Sequence, residues 1–173
     1  MHYRVLVVGL SGTGKSHLAS YFAKQGKRSY DMDHVKGLSR WIDDRGHVAK
    51  YLHSKYHDEE YLSKYKWRWD KTKLKNLLKK NNEVYFFGSS DNEAEVYKYF
   101  DKVYYLKISR RLLSVRLKRR RNAEHFGITE KQRRLIYSWM NYTNKRAKEK
   151  KLIVVDATLT PKQIFATVTK NTG

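Results

Sequence analysis

The run Gly9-Leu10-Ser11-Gly12-Thr13-Gly14-Lys15-Ser16 constrains this chain more than any other feature. It follows a β-branched apolar run, Tyr3 to Val8, which reads as a buried strand. It opens a stretch from about Lys15 to Lys24 in which Leu18, Ala19, Phe22 and Ala23 share one helical face. Glycines at 9, 12 and 14 let the main chain wrap closely, so that successive N–H groups point at one anion. The helix that follows adds the positive end of its dipole. Lys15 is placed to reach the β- and γ-phosphates and the Ser16 hydroxyl to ligate Mg²⁺, while Ser11, Thr13 and His17 complete the lining. The spacing predicts binding of a nucleoside triphosphate with Mg²⁺, ATP being the expected donor.

The remainder alternates short apolar runs with helical periodicity. Arg28–Met32, Val84–Phe87, Lys102–Ile108 and Leu152–Val155 read as further strands. Helices are expected over Asp70–Lys80, Asn92–Phe100, Ser109–Arg121, Thr129–Lys150 and from Thr160 to about Lys170, where Thr160, Pro161 and Gln163 form a helix start. Five strands separated by helices predict an α/β domain with a parallel sheet between two helical layers, over residues 1–173. Residues 34–69 hold many aromatics without a clean period and read as short helices and loops. His53 and His57, four apart, read as surface residues sharing a helix face, and Trp139 as core.

Two acids, Asp31 and Asp33, follow the second strand, whereas no acid immediately follows the apolar run ending at Phe87. Alternation along an extended segment puts both carboxylates on one side and Met32 on the other. One suits holding Mg²⁺ and the other suits taking a proton from an acceptor hydroxyl. The order of glycine loop, D-x-D and a glycine turn after the third strand resembles the small P-loop kinases: shikimate, gluconate, cytidylate and adenylate kinases. That resemblance implies the three-layer P-loop NTPase fold and an ATP-dependent phosphotransferase. Under it, Lys15, Asp33 and Arg120 are the catalytic candidates, and Ser16 and Asp31 the Mg²⁺ ligands. Residues 34–80 form an acceptor lobe and 116–128 a lid. Tyr104-Tyr105-Leu106 followed by Leu112, Leu113 and Arg116 resembles the segment leading into the lid, and Val155–Thr158 the loop near the adenine. Arg116 and Ala157 are therefore expected beside the base, with Arg119, Arg120 or Arg121 reaching the phosphates. A planar guanidinium suits both tasks.

The acceptor is the open question. Arg45 and Arg68 are the only plausible carboxylate clamps in the acceptor segment, while Trp41, Tyr51, Tyr56, Tyr61, Tyr65, Trp67 and Trp69 make it aromatic. Aromatic faces suit a nucleoside or nucleotide; a sugar acid is the alternative. Charge adds a third reading. The formal net charge is +21, and residues 107–151 carry sixteen Lys and Arg against three Glu. Such a field attracts polyphosphates or nucleic acid. Zero cysteines exclude disulfides, thiol nucleophiles and zinc fingers. A mean hydropathy of -0.84 and no long apolar run predict no membrane insertion. With no signal-like segment, a cytoplasmic monomer or small homo-oligomer is expected.

Overall fold

A computed structural model describes residues 3–120 and 125–170. The sheet has five parallel strands: β1 (Tyr3–Val8), β2 (Ser29–Asp31), β5 (Glu83–Phe87), β6 (Lys102–Lys107) and β7 (Ile153–Asp156). Their spatial order is β2-β5-β1-β6-β7. β1 is central, and the chain crosses to one side for β2 and β5 and to the other for β6 and β7. The carboxyl end of β1 therefore lies where the order reverses, the crevice in which open α/β sheets bind ligands.

Period-two alternation explains the layers. Val5 and Val7 pack on one face, with Leu18 and Phe22 of helix α1 (Lys15–Lys24), Leu113 and Leu117 of α5 (Arg110–Lys118), and Ile164 and Val168 of α7 (Pro161–Thr169). Leu6 and Val8 pack on the other, with Leu74 and Leu78 of α3 (Lys71–Lys79). Helix α6 (Glu130–Glu149) serves both faces, through Ile136 on the first and Ala147 on the second. Its 20 residues span about 30 Å. The three-layer α/β fold matches the sequence expectation, as does the Thr160 capping box with Pro161 in the first turn.

Four details differ. Residues 34–69 contain an antiparallel pair, β3 (Ser39–Ile42) and β4 (Lys66–Trp69), with Trp41 opposite Trp67. Each run is four residues long and its partner lies far along the chain, so neither has a local turn to announce it. A short helix, α2 (Glu59–Lys64), connects them, capped by the Asp58 carboxylate. Second, the helix expected over Asn92–Phe100 is only α4 (Glu93–Val96) and a 3-10 turn, Tyr97–Tyr99. Asn92 does not cap it by its side chain; its amide instead splints Trp69, accepting from that residue's N–H at 2.9 Å and donating to its carbonyl at 3.0 Å. Third, His53 and His57 flank a 3-10 turn instead of sharing a helix face, and His57 is buried. Fourth, Trp139 is not core: it is 37% exposed and stacks on Phe126 at 5.8 Å. No helix among the described residues is long and apolar enough to cross a membrane.

Candidate active site

The glycine loop joins β1 to α1, as its spacing requires. Gly12 and Gly14 have φ of 100° and 101°, a region that side-chain-bearing residues rarely adopt. A Cβ on Gly12 would stand 2.8 Å from Leu113 Cδ1, so α5 also excludes a side chain there. Gly14 is the N-cap of α1, with no side chain bonded to the first-turn amides and no acid in that turn. Those amides are left to an anion. Thr13 faces inward and its hydroxyl donates to Leu10 O at 2.9 Å, fixing the loop.

Lys15 is 9% exposed, and its Nζ donates to Gly9 O at 2.6 Å and Leu10 O at 3.0 Å. Burial pulls its pKa down to about 8, against the opposing pull of Asp33, Glu93 and Asp31. Ser16 and His17 are exposed on the first turn of α1. Asp31 ends β2, in register with Phe87, and its Oδ1 accepts from the Asp33 N–H at 3.1 Å. Met32 between them is fully buried, as the alternation predicts. Asp33 is open to solvent on one side, and its Oδ1 accepts from Trp67 Nε1 at 3.0 Å. The surrounding protein pushes its carboxyl above the ordinary carboxylate range, while the Trp67 and Lys15 interactions oppose the rise.

Two arginines, Arg116 on α5 and Arg120 just past it, bond to the same loop. Arg120 Nη1 donates to Ser11 Oγ at 3.0 Å and also to Phe126 O, and the Ser11 hydroxyl donates to Phe126 O at 3.2 Å. Arg116 bridges Thr13 O at 3.0 Å and Ala157 O at 2.8 Å, tying the glycine loop to the turn after β7. Both therefore reach the loop through its main chain or Ser11. Arg119 is exposed; Arg121 and the lid residues 122–124 lie outside the described residues.

Three participants escaped the sequence reading. Trp67 holds Asp33, and only its place in a hairpin reveals this. Gln132, read only as part of a helix start, is 1% exposed and joins three segments. It accepts from Gly127 N–H at 2.9 Å and donates to Ser54 O at 2.5 Å and His57 O at 3.2 Å. Glu93, buried just past β5, is bonded by Arg146 at 2.6 Å and Tyr97 Oη at 2.7 Å. Burial pushes its carboxyl up while Arg146, Tyr97 and the Ser90 N–H hold it down. The available signal was a second acid two residues past Asp91, in the segment that follows β5.

Trp41, Tyr61, Tyr65 and Trp67 form a continuous wall with His57, whereas Tyr51 and Tyr56 are exposed and Trp69 is buried in the core. From Trp67 beside Asp33, ring contacts run to Trp41 at 5.2 Å and on to Tyr61 at 5.3 Å and His57 at 4.8 Å. His57 stacks on Tyr61 at 4.2 Å and places Nε2 2.9 Å from Leu52 O, which makes Nε2 the protonated nitrogen. Burial lowers its pKa.

An uncapped helix start, a left-handed glycine turn and a buried lysine near two carboxylates define a P-loop protein with the fold of the small kinases. The AAA domain family matches residues 5–138, and the chain belongs to that family. A solved structure of deoxyadenosine kinase from M. mycoides with bound dATP is similar in fold, with a TM-score of 0.60 and 17% identity. The match covers 98% of this chain and 100% of that one. No curated protein matches the sequence.

Proposed function

We propose that the chain is an ATP-dependent kinase that phosphorylates a nucleoside or nucleotide. The observation that carries this reading is that Asp33 is hydrogen-bonded to the first ring of the aromatic wall at 3.0 Å while interacting electrostatically with Lys15 of the glycine loop. A base lying on Trp67 and Trp41 brings its sugar hydroxyl toward the carboxylate. The hydroxyl oxygen bonds to the γ-phosphorus of ATP as the bond to the β,γ-bridging oxygen breaks. The hydroxyl proton passes to Asp33, and ADP departs with the bridging oxygen. The elevated pKa of Asp33 makes it a better base than an ordinary carboxylate.

Lys15, released from the carbonyls of Gly9 and Leu10, neutralises the transferring group, and Arg120 adds charge from the lid side. Mg²⁺ fits this donor set: a serine hydroxyl on the first turn of α1 and a carboxylate at the end of β2, with phosphate oxygens completing the shell. Held there by Ser16 and Asp31, it would offset the negative charge of the triphosphate. Contact of Ser11 and Arg120 with Phe126 supports closure of the lid over the phosphates, excluding water.

The sugar-acid alternative is less well supported. Arg68 is committed to Glu95 at 3.0 Å, and Arg45 is exposed on a turn, so neither forms a ready carboxylate clamp. Similarity in fold to a solved deoxyadenosine kinase favours the nucleoside. The test is acceptor-dependent ADP release from ATP·Mg²⁺ across nucleosides, nucleotides and sugar acids. A nucleoside or nucleotide should stimulate release at least tenfold. Stimulation by a sugar acid alone, or by nothing, overturns the proposal.

A further inference from the structure

At the end of the sheet opposite the glycine loop, the surface holds an open groove of about 350 Å³. Arg4, near the start of β1, supplies one wall; it lies about 16 Å from Gly9 at strand rise. Lys75 and Lys79, one helical turn apart on α3, supply another. Lys98 and Tyr99 enter from the 3-10 turn before β6, and the floor is Leu78 and Phe100.

Charge in this groove is unbalanced. Four cationic side chains converge on it with one carboxylate, Asp101, whose Oδ2 accepts from the Arg4 main-chain N–H at 2.7 Å. Among the described residues, none of Arg4, Lys75, Lys79 and Lys98 has a carboxylate within ion-pair distance. Lys27 and Lys71, by contrast, each meet a carboxylate, Glu83 at 2.7 Å and Glu95 at 2.8 Å. Arg4 Nε is shut off from solvent without a hydrogen-bond partner. The carboxyl end of the α3 dipole favours Lys79, but it accounts for neither Arg4 nor Lys98. The Tyr99 ring sits among these charges, with Lys75 Nζ 5.1 Å and Lys98 Nζ 5.6 Å from its centre. Convergent unpaired cations repel one another, and an anion relieves that repulsion.

We propose that this groove is a second binding site, separate from the glycine loop, for a phosphate group that carries a flat ring: a nucleotide, either free or within a single strand. Its volume is at the lower end for small-ligand sites and suits one nucleotide unit. Arg4 and the lysines receive the phosphate, and Tyr99 offers the base a face on which to stack. Neither the loop nor Asp33 takes part, so the site stands or falls independently of the kinase reading.

The experiment uses the full chain with its glycine loop saturated by a non-hydrolysable ATP analogue and Mg²⁺. The probes are AMP, followed by calorimetry, and fluorescein-labelled hexathymidylate, followed by anisotropy. At least one should bind wild type, and Lys75→Gln/Lys98→Gln should bind it tenfold or more weakly. Lys24→Gln/Lys162→Gln removes the same charge from exposed positions elsewhere and should bind as wild type does. For the strand, neutralising three phosphates predicts about a 20-fold loss between 50 and 200 mM salt. Binding of AMP alone identifies the free nucleotide as the source, and binding of hexathymidylate alone identifies the strand. Tyr99→Leu keeps every charge and should still weaken binding several-fold; unchanged affinity overturns the flat-ring requirement. Failure of both probes, or equal losses in the groove and control variants, overturns the site.

Discussion

Replacing Gln132 by Met should both destabilise the protein and release the segment around Ser54 and His57 from the turn at Gly127. The side chain is 1% exposed, and its amide makes three hydrogen bonds, to Gly127, Ser54 and His57. Methionine matches its length and fills the space, so no large cavity term arises. What remains is one N–H and two carbonyls deprived of their partner. Each lost bond is worth about 1 kcal/mol net, and more where the remaining group cannot reach water. The total is about 3 kcal/mol, which for a domain of this length lowers the melting temperature by roughly 6–12 °C. Calorimetry measures this directly. Gln132→Glu separates bonding from packing: it keeps an acceptor for the Gly127 N–H but sets a carboxylate against two carbonyls. It should be at least as destabilised as the Met variant. Both variants should cleave first within 43–65 under limited proteolysis, because the Ser54 and His57 carbonyls have lost their tether. A shift below 2 °C in both would refute the reasoning that this amide holds the lobe.

Proton linkage offers a second check. Lys15 has a pKa of about 8 in the free protein because of burial, and a bound triphosphate restores its charge. ATP binding near pH 8 should therefore take up roughly half a proton, falling toward zero near pH 6.5, as calorimetry in buffers of different ionisation enthalpy would show. Lys15→Ala should abolish both the uptake and tight binding; uptake that persists in the variant rejects the assignment. Glu93→Ala takes the carboxylate from the partly buried Arg146 and should cost about 3 kcal/mol in denaturant unfolding, while Glu93→Gln, which can still accept from Tyr97, should cost less. Equal losses in the two would place the effect in packing instead of charge. The rate of transfer should fall as pH drops through the raised pKa of Asp33, because the protonated carboxyl cannot accept the acceptor proton, and the limb should lie above the ordinary carboxylate range.

Local rules carried much of this fold. The glycine loop, the five parallel strands and the α7 capping box depend on neighbours within a few residues, so periodicity and capping signals expose them. The hairpin of β3 and β4 depends on a partner more than twenty residues away, and its short runs carry no such signal. Asp31 and Asp33 were legible because alternation alone sets their shared side; the role of Trp67 was not, since it exists only once the hairpin brings its indole to Asp33. Gln132 shows the same limit. Its place after Thr129 reads as helix capping, yet its side chain reaches a segment more than seventy residues earlier in the chain. Trp139 and His57 were assigned opposite environments by residue type, and the tertiary packing reversed both.

Asp33 is proposed to take the acceptor proton while the glycine loop holds ATP. A rapid-quench single turnover with γ-labelled ATP, the stimulating acceptor and Asp33→Asn tests it most directly. Transfer should slow by roughly 10²–10⁴-fold with ATP affinity within a few-fold of wild type. Transfer at the wild-type rate in that variant would contradict the account.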